Sequence, residues 1–232
     1  MSDQQRKIYQ SDAERYEALI SREDHQRNIP RALDEIINVE GLDIVDLGAG
    51  TGRLTMMLAP RAASISSFDI SDHMLDVTRS RLAALGLNNW QVEVADHRSI
   101  PLADDSVDLV VSGWSVSYLA VWNPDSWRAE LEKWLDEMKR ILRPSSHIVL
   151  FESLGTGNES PLHLQHLESY YPWLDEMGFQ NKWIRTDYLF ESLDEAVDLA
   201  GFFFGEEMAN QVREERLIIL PECTGVWWKK IE

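Results

Sequence analysis

The stretch IVDLGAGTGRLT, residues 44–55, decides the fold of this chain. An apolar run that ends in the acid Asp46 passes directly into Gly48, Gly50 and Gly52, and a helical pattern follows. Glycines at this spacing let the backbone turn sharply between a strand and a helix and approach a ligand closely. The stretch therefore predicts a ligand-binding turn at the carboxyl end of a buried strand.

Short apolar runs alternate with helical patterns around this turn. Strands are predicted near residues 43–47, 64–69, 90–94, 107–113 and 147–152, and helices near residues 52–60, 72–85 and 124–142. Such alternation is typical of an α/β protein in which right-handed crossovers place helices on both faces of a doubly wound parallel sheet.

The chain length favours a single domain over residues 1–232, because two domains of about 150 residues each would not fit. We divide it into an N-terminal helical cap (1–40), a ligand-binding core (41–153) and a C-terminal part on the substrate side (154–232).

Local patterns outside the core are helical for the most part. Residues 11–38 show a helical stripe with a break expected at Pro30. A helix is expected around residues 161–177 and a strand around 182–189, and a helical insertion precedes the last strand.

The amino-acid composition limits the kinds of molecule that the protein is expected to bind. Arg and Lys number 22 against 40 Asp and Glu, and the formal charge of −18 disfavours nucleic acid and anionic lipid and favours a small-molecule partner. No apolar run approaches the ~18 residues of a membrane span, and the first residues lack a secretory apolar segment, so we expect a cytoplasmic protein. The one cysteine, Cys223, excludes an internal disulfide. The oligomeric state stays open.

Acids at successive strand ends indicate which ligand the turn holds. A dinucleotide fingerprint would place a glycine at position 53, where this chain has Arg53. Asp46 would repel a pyrophosphate and attract an ammonium group, so a cationic ligand fits better than a nicotinamide cofactor, which remains an alternative. Asp69 can accept two ribose hydroxyls, and Asp96, with His97 alongside, can accept from an adenine amine.

Four segments in a fixed order and spacing resemble a known family. They are VDLGAGTG (45–52), FDISDHML (68–75), VEVADHRSIPLADDSVDLVVS (92–112) and EMKRILRPSSHIVLFE (137–152). Together they look like a class I S-adenosylmethionine-dependent methyltransferase of the small-molecule type, over roughly residues 42–153. The resemblance implies a seven-stranded, mostly parallel Rossmann-like sheet with an antiparallel last strand, and S-adenosyl-L-methionine as cofactor. Pro144, Ser145 and Ser146 depart from the Pro-Gly-Gly turn that the family often has.

The resemblance also implies which residues bind the cofactor. It places the residues of the turn around the methionine part, Asp69 on the ribose hydroxyls, Ile70 and Met74 against the adenine, and Asp96 with His97 near the adenine amine. The full set of predicted cofactor-binding residues is Asp46, Gly48, Ala49, Gly50, Gly52, Asp69, Ile70, Met74, Asp96 and His97.

Methyl transfer is an in-line displacement that requires alignment and exclusion of water more than a conspicuous catalytic group. Trp114 and Tyr118, at the end of the fourth strand, are the predicted positioning residues near the methyl group, with packing as the alternative. Glu152, at the end of the fifth strand, either faces the substrate or is solvated. His97 is the nearest titratable base by sequence, although its expected place is beside the adenine.

Several absences narrow the substrate class. The chain has SGWS where nucleobase amine methyltransferases resemble one another in an Asn/Asp-Pro-Pro-aromatic loop, and Cys223 lies in the wrong region for a cytosine-C5 nucleophile. The fourth strand ends without magnesium-binding acids, and the pair His163 and His166 lacks a third metal ligand, so no metal is expected.

We therefore predict an enzyme, a metal-independent methyltransferase for a small-molecule acceptor. A catalytically silent S-adenosylmethionine-binding module or regulatory subunit is the alternative. The aromatic residues Phe202, Phe203, Phe204 and Trp227 either cover an apolar substrate pocket or pack on the sheet.

Overall fold

The computed structural model describes residues 3–232, with side chains from Lys7 onward, so residues 1 and 2 of the predicted cap lie outside the described part. The strands are β1 (Asp43–Leu47), β2 (Ser64–Asp69), β3 (Trp90–Val94), β4 (Val107–Gly113), β5 (Leu142–Thr156), β6 (Gln180–Arg185), β7 (Tyr188–Leu189), β8 (Ile219–Leu220) and β9 (Glu222–Lys230). The helices are α1 (Asp3–Ser11), α2 (Ala13–Ile20), α3 (Asn28–Asp34), α4 (Arg53–Leu58), α5 (Asp72–Ala84), α6 (Ser117–Val121), α7 (Trp127–Ile141), α8 (Tyr170–Glu176), α9 (Leu193–Phe204) and α10 (Glu206–Glu215), with a 3₁₀ turn at Gln165–Leu167.

The central sheet has seven strands in the order β3-β2-β1-β4-β5-β9-β6. Strands β1 to β5 pair in parallel, whereas β9 inserts between β5 and β6 and runs antiparallel to both. This confirms the predicted α/β fold with an antiparallel last strand. The order reverses direction next to β1, and the carboxyl ends of β1 and β4 flank the point where ligands of open α/β sheets bind.

Alternating side chains along the strands build a core on each face of the sheet. On one face Val45, Leu47 and Val110 pack against buried residues of α7 and α8. On the other face Ile44 and Leu109 pack against α3, α4 and α5. The helices thus cover both faces, as a doubly wound sheet requires.

A third apolar cluster joins the two ends of the chain. Leu19 of α2 packs with Tyr188, Phe190 and residues of α9 and α10, which include Leu199 and Val212. Helix α2 and the insertion before the last strand therefore share one apolar cluster.

The structure corrects several predicted boundaries. Pro30 lies in the first turn of α3, where its missing N–H costs nothing, and the break falls at residues 21–27 instead. The helix expected over 161–177 is confined to α8 and the short 3₁₀ turn, and the strand expected over 182–189 divides into β6 and β7. Strand β5 is longer than predicted and includes Pro144. Among the residues with described structure, no helix combines the length and apolarity that crossing a membrane demands.

Candidate functional site

The glycine turn links β1 to α4 in a conformation that L-residues rarely adopt. Gly48, Gly50 and Gly52 have φ values of +67°, +54° and +86°. The backbone N–H groups of Gly48 and Ala49 donate to the carbonyl of Phe68, at 2.8 and 3.0 Å, and tie the turn to the end of β2. A Cβ on Gly48 would come within 1.8 Å of the Ser115 Oγ, so this position has no room for a side chain.

A cavity of about 660 Å³ opens at the carboxyl ends of β1, β2 and β4. It is lined by the glycine turn, the acid that ends β2, the acid that follows β3, the segment after β4 and the helix α1. The sequence-predicted residues that line it are Gly48, Gly50, Asp69, Ile70, Met74, Asp96, His97, Trp114 and Tyr118. These positions are far apart in the sequence, and the topology brings them to one place.

Asp69 ends β2 with its carboxylate held by two backbone donors. Its Oδ2 accepts from the N–H of Gly50 at 2.9 Å, and its Oδ1 accepts from the N–H of Ser71 at 2.8 Å. Burial raises the pKa of the Asp69 carboxyl, and these backbone hydrogen bonds act in the opposite direction. Each carboxylate oxygen keeps acceptor capacity, which suits a pair of ribose hydroxyls.

Asp96 is held by an arginine that sequence reasoning missed. The guanidinium of Arg98 donates to both carboxylate oxygens of Asp96 and also pairs with Glu130. Hydrogen bonds from Arg98 lower the pKa of the Asp96 carboxyl to about 2, so it is ionised. The spacing of Asp96 and Arg98, two residues apart in the sequence, was the signal from which this ion pair could have been predicted.

His97 lies beside Asp96 as a neutral imidazole. Burial lowers its pKa to about 4. Its Nε2 is 3.3 Å from the Ser115 Oγ, and its Nδ1 is buried without a partner among residues with described side chains. That nitrogen is free to contact a bound group.

Asp46, Ala49 and Gly52 do not line the large cavity. The Oδ2 of Asp46 accepts a hydrogen bond from the Thr55 hydroxyl at 2.6 Å, and burial raises the pKa of Asp46 to about 7. Asp46 and Ala49 line an adjoining cavity of about 30 Å³. Gly52 faces Thr78, whose methyl group lies 2.9 Å from the point that a Cβ on Gly52 would occupy, so Gly52 shapes the turn.

Trp114 and Tyr118 form an aromatic wall of the large cavity. Trp114 has a positive φ of +53°, and its N–H donates to the Phe151 carbonyl at 2.6 Å. The Tyr118 hydroxyl lies 3.2 Å from the Tyr9 hydroxyl of α1, so the N-terminal cap reaches across the cavity.

Arg53, the residue that replaces the dinucleotide glycine, is a second arginine that sequence reasoning did not assign. Its guanidinium carbon lies 3.9 Å from the centre of the Trp114 ring, and its Nη1 pairs with Glu23 at 2.6 Å. It lines the small cavity together with Asp46.

The remaining candidates lie outside the cavity. Glu152 is buried and accepts hydrogen bonds from the backbone N–H and hydroxyl of Ser117 and from the Tyr170 hydroxyl, which corrects both expectations for it. Phe203 contacts Tyr9, Phe204 contacts Tyr188, and Trp227 stacks on Tyr171. Phe202 lies beneath the Arg15 guanidinium.

His163 and His166 also lie away from the cavity. His163 is in an irregular segment and His166 in the 3₁₀ turn, so the two are not on one helix face. The described residues hold no group of three or more potential metal ligands.

This sheet order, with the glycine turn and cavity at its switch point, is the fold of class I S-adenosylmethionine-dependent methyltransferases. A methyltransferase of that kind from Aquifex aeolicus superimposes with a TM-score of 0.60 at 18% identity, over 96% of this chain and 98% of that one. At this identity the likeness concerns the fold.

Sequence comparison finds a family model that matches the core of the chain. Residues 44–145 match the family model described as a methyltransferase domain. The match covers less than half of the chain, and it confirms the predicted resemblance to S-adenosylmethionine-dependent methyltransferases, with the enzyme class and the cofactor that the resemblance implies.

Two curated relatives illustrate the similarity. A demethylmenaquinone methyltransferase of Clavibacter sepedonicus is 36% identical over 114 residues, which cover 49% of this chain and 42% of the relative. Phosphoethanolamine N-methyltransferase 1 of Caenorhabditis elegans is 40% identical over 146 residues, 60% of this chain and 30% of the relative. The chain thus spans less than half the length of these relatives.

Proposed function

We propose that this chain is an S-adenosylmethionine-dependent methyltransferase that methylates a small molecule by in-line transfer without a metal. The observation that carries the proposal is the 660 Å³ cavity, in which the backbone of Gly48 and Gly50, the carboxylate of Asp69 and the ring of Trp114 meet. A glycine turn, an acid and an apolar wall in one concave site are the features that such a cofactor needs.

The residues present fit the cofactor. Asp69 offers acceptor capacity to the ribose, and Ile70, which is 67% exposed, and Met74 offer apolar surface to the adenine. The unpartnered Nδ1 of His97 can contact the adenine edge. Asp96 is fixed by Arg98 and supplies its remaining acceptor capacity on the same side. Gly48, Ala49, Gly50 and Gly52 form the turn beside the methionine part, and Asp46 receives its ammonium.

The bound cofactor supplies an electrophilic methyl group on a positively charged sulfur. Trp114 and Tyr118 act as positioning residues that wall the cavity and exclude water from it. Neither neighbouring titratable group is suited to accept a proton near pH 7, because the pKa of His97 is lowered to about 4 and that of Tyr118 is raised to about 12. The lowered pKa of His97 and the raised pKa of Tyr118 therefore favour an acceptor atom that is already nucleophilic.

Three observations support a small-molecule acceptor. The names of both curated relatives specify small-molecule substrates. The formal charge of −18 opposes binding to nucleic acid phosphates. Tyr9, Tyr16 and Phe203 pack together where α1, α2 and α9 meet, so we assign the N-terminal cap and the C-terminal part to the acceptor side. Cytoplasmic location stays a prediction from the sequence.

Incubation with methyl-labelled cofactor and a metabolite extract tests the proposal. Label in a small molecule, undiminished by EDTA, is the expected result. Tight binding of S-adenosylhomocysteine with no transfer of label would instead favour the silent module. If calorimetry showed that the protein binds NAD and does not bind S-adenosylhomocysteine, an oxidoreductase would be favoured. A transfer that EDTA abolishes would overturn metal independence.

A further inference from the structure

The charged side chains that line the large cavity come from the ends of β2 and β3. They are Asp69, Asp96 and Arg98. Asp96 and Arg98 pair with one another. Under the proposed function, Asp69 serves the ribose and Asp96 serves the adenine. The cofactor side of the cavity therefore accounts for its charged groups.

The remaining wall, from α1, α2 and the segment after β4, is lined by uncharged side chains throughout the part of the chain whose side chains are described. Tyr9 and Tyr16 come from the helices, and Tyr118, Trp122 and Asn123 follow β4. A carboxylate or a thiolate placed against this wall would lose its hydration without gaining a cation as partner. The wall therefore disfavours acceptors whose nucleophilic atom is negatively charged.

The titratable groups in and beside this wall are poor bases near pH 7. Burial raises the pKa of Tyr9 well above its ordinary value and that of Tyr118 to about 12, so both phenols stay protonated. The pKa of His97 is lowered to about 4 by burial, and that of Asp96 to about 2 by hydrogen bonds from Arg98. An alkylamine or a phenol, each with an ordinary pKa of about 10, would have to lose a proton and finds no base among these groups.

Tyr118 and Trp122 form a flat aromatic surface in the same wall. Their rings are stacked, with centroids 5.0 Å apart and planes 8° from parallel. Trp122 is 37% exposed. Aromatic rings bind other planar rings by offset stacking and attract positive charge to their faces. This surface therefore suits a planar acceptor that becomes positively charged when it is methylated.

We propose that the acceptor is a neutral nitrogen heterocycle, which binds against Tyr118 and Trp122 and is methylated on a pyridine-type ring nitrogen. The inference rests on the proposed function. The lone pair of the ring nitrogen forms the bond to the methyl carbon, the bond from that carbon to sulfur breaks, and its electron pair stays on sulfur. The positive charge passes from sulfur to nitrogen and no proton leaves. The product is a permanent aromatic cation.

The product labelled in a metabolite extract tests this assignment. We expect it to absorb ultraviolet light as an aromatic ring and to be retained on a strong cation exchanger at about pH 12, where methylated amines, phenols and carboxylates carry no positive charge. A labelled product that is not retained, or a quaternary ammonium without an aromatic ring, would overturn the inference and leave the proposed function standing.

Quinoline and 1-naphthol are defined probes of similar size and shape. Quinoline has the ring nitrogen, and 1-naphthol must lose a proton to react, so it should take at least ~100-fold less label. More label in 1-naphthol than in quinoline would contradict the inference. So would binding of S-adenosylhomocysteine with no label in either the extract or quinoline. If S-adenosylhomocysteine does not bind, the proposed function fails as well.

Variants assign the binding surface. Trp122→Ala should raise KM for the labelled acceptor about 3- to 10-fold, as for the loss of one aromatic stack, and leave the affinity for S-adenosylhomocysteine unchanged in calorimetry. Trp122→Phe should keep most of the acceptor affinity, and Trp122→Leu makes the same test where Trp122→Ala does not fold. The matched control is Trp183→Ala, which removes a 49% exposed indole of β6. An unchanged KM, or an equal loss for S-adenosylhomocysteine, would overturn the placement of the acceptor against Trp122.

Discussion

The guanidinium of Arg53 lies over the indole ring of Trp114, with 3.9 Å between its central carbon and the ring centre. The same indole ring is stacked near Phe151, with 6.2 Å between ring centroids. Trp114 thus holds a backbone conformation with φ of +53° because two separate packing contacts determine it. A residue at the end of β4 is thereby kept at the wall of the cavity.

This packing predicts a specific loss of stability. Trp114→Ala should lower the free energy of unfolding by about 2 kcal/mol, because it removes a partly buried cation–π contact and an aromatic stack. Trp114→Phe, which keeps an aromatic face, should cost less than half as much. Urea unfolding of both variants checks the prediction, and equal losses would show that the ring contacts are not what holds the residue.

Asp69 permits a prediction about cofactor affinity. Asp69→Ala should weaken the binding of S-adenosylhomocysteine by up to about 3 kcal/mol, which is more than 100-fold in affinity, because two ribose hydroxyls lose a charged acceptor. Asp69→Asn should lose less affinity, since one oxygen acceptor remains. Asp43→Asn, at the other end of the sheet where Asp43 pairs with Arg143, is the control and should bind as wild type. Unchanged affinity of Asp69→Ala in calorimetry would mean that the ribose lies elsewhere.

Gly48 and Gly41 form a matched pair for the turn. Both have positive φ, +67° and +73°, so an alanine at either position incurs about 1–2 kcal/mol of backbone cost. A Cβ at Gly41 meets nothing within 4 Å, whereas one at Gly48 overlaps Ser115. Gly48→Ala should therefore be clearly more destabilising in urea unfolding, and Ser115→Gly should recover part of the difference. Equal losses at the two glycines would contradict the close approach.

The hydroxyls of Tyr9 and Tyr118 should couple the N-terminal cap to the cavity wall. Because they lie 3.2 Å apart, Tyr9→Phe and Tyr118→Phe should each lose the same bond, and the double variant should lose it only once. We expect a coupling of about 0.5–1.5 kcal/mol in thermal or urea unfolding. The control is Tyr171→Phe, which removes a hydroxyl that donates to the Ser153 carbonyl. Its loss of unfolding free energy should add to that of Tyr9→Phe. Additivity of the Tyr9 and Tyr118 changes would show that the bond contributes nothing.

The sequence predicted those features that depend on local pattern. The strand ending at Asp46, the glycine turn and the strand ending at Asp69 follow from hydrophobic runs and from glycine spacing, and the structure has these strands and this turn. The length of β5 was missed because Pro144 interrupts the apolar pattern, although the strand continues through it.

Contacts between distant residues were not predictable in the same way. The contact of Arg53 with Trp114 and the bond between Tyr9 and Tyr118 depend on how whole elements pack, and no spacing in one sequence encodes them. The burial of Glu152 was missed for a related reason, because its donors come from α6 and α8 rather than from its own strand.

Glu152 makes the stability of the fold depend on pH. Burial raises the pKa of its carboxyl to about 7, against the opposing hydrogen bonds from Ser117 and Tyr170. The folded state therefore binds this proton more tightly than the unfolded state, in which the pKa of a glutamate is near 4.3. The stabilisation that follows from this difference is fully present below about pH 4 and is lost as pH rises through 7. Glu152→Gln carries no such proton.

The difference between wild type and Glu152→Gln should therefore shift with pH in one direction. We expect wild type to lose about 2 kcal/mol relative to Glu152→Gln between pH 5 and pH 8, and the comparison cancels the other titrating groups. Urea unfolding at both pH values measures it, with Glu168→Gln, at an exposed position, as the control. A constant difference, or a relative gain by the wild type at pH 8, would mean that the buried carboxyl keeps its ordinary pKa and that its three donors outweigh burial.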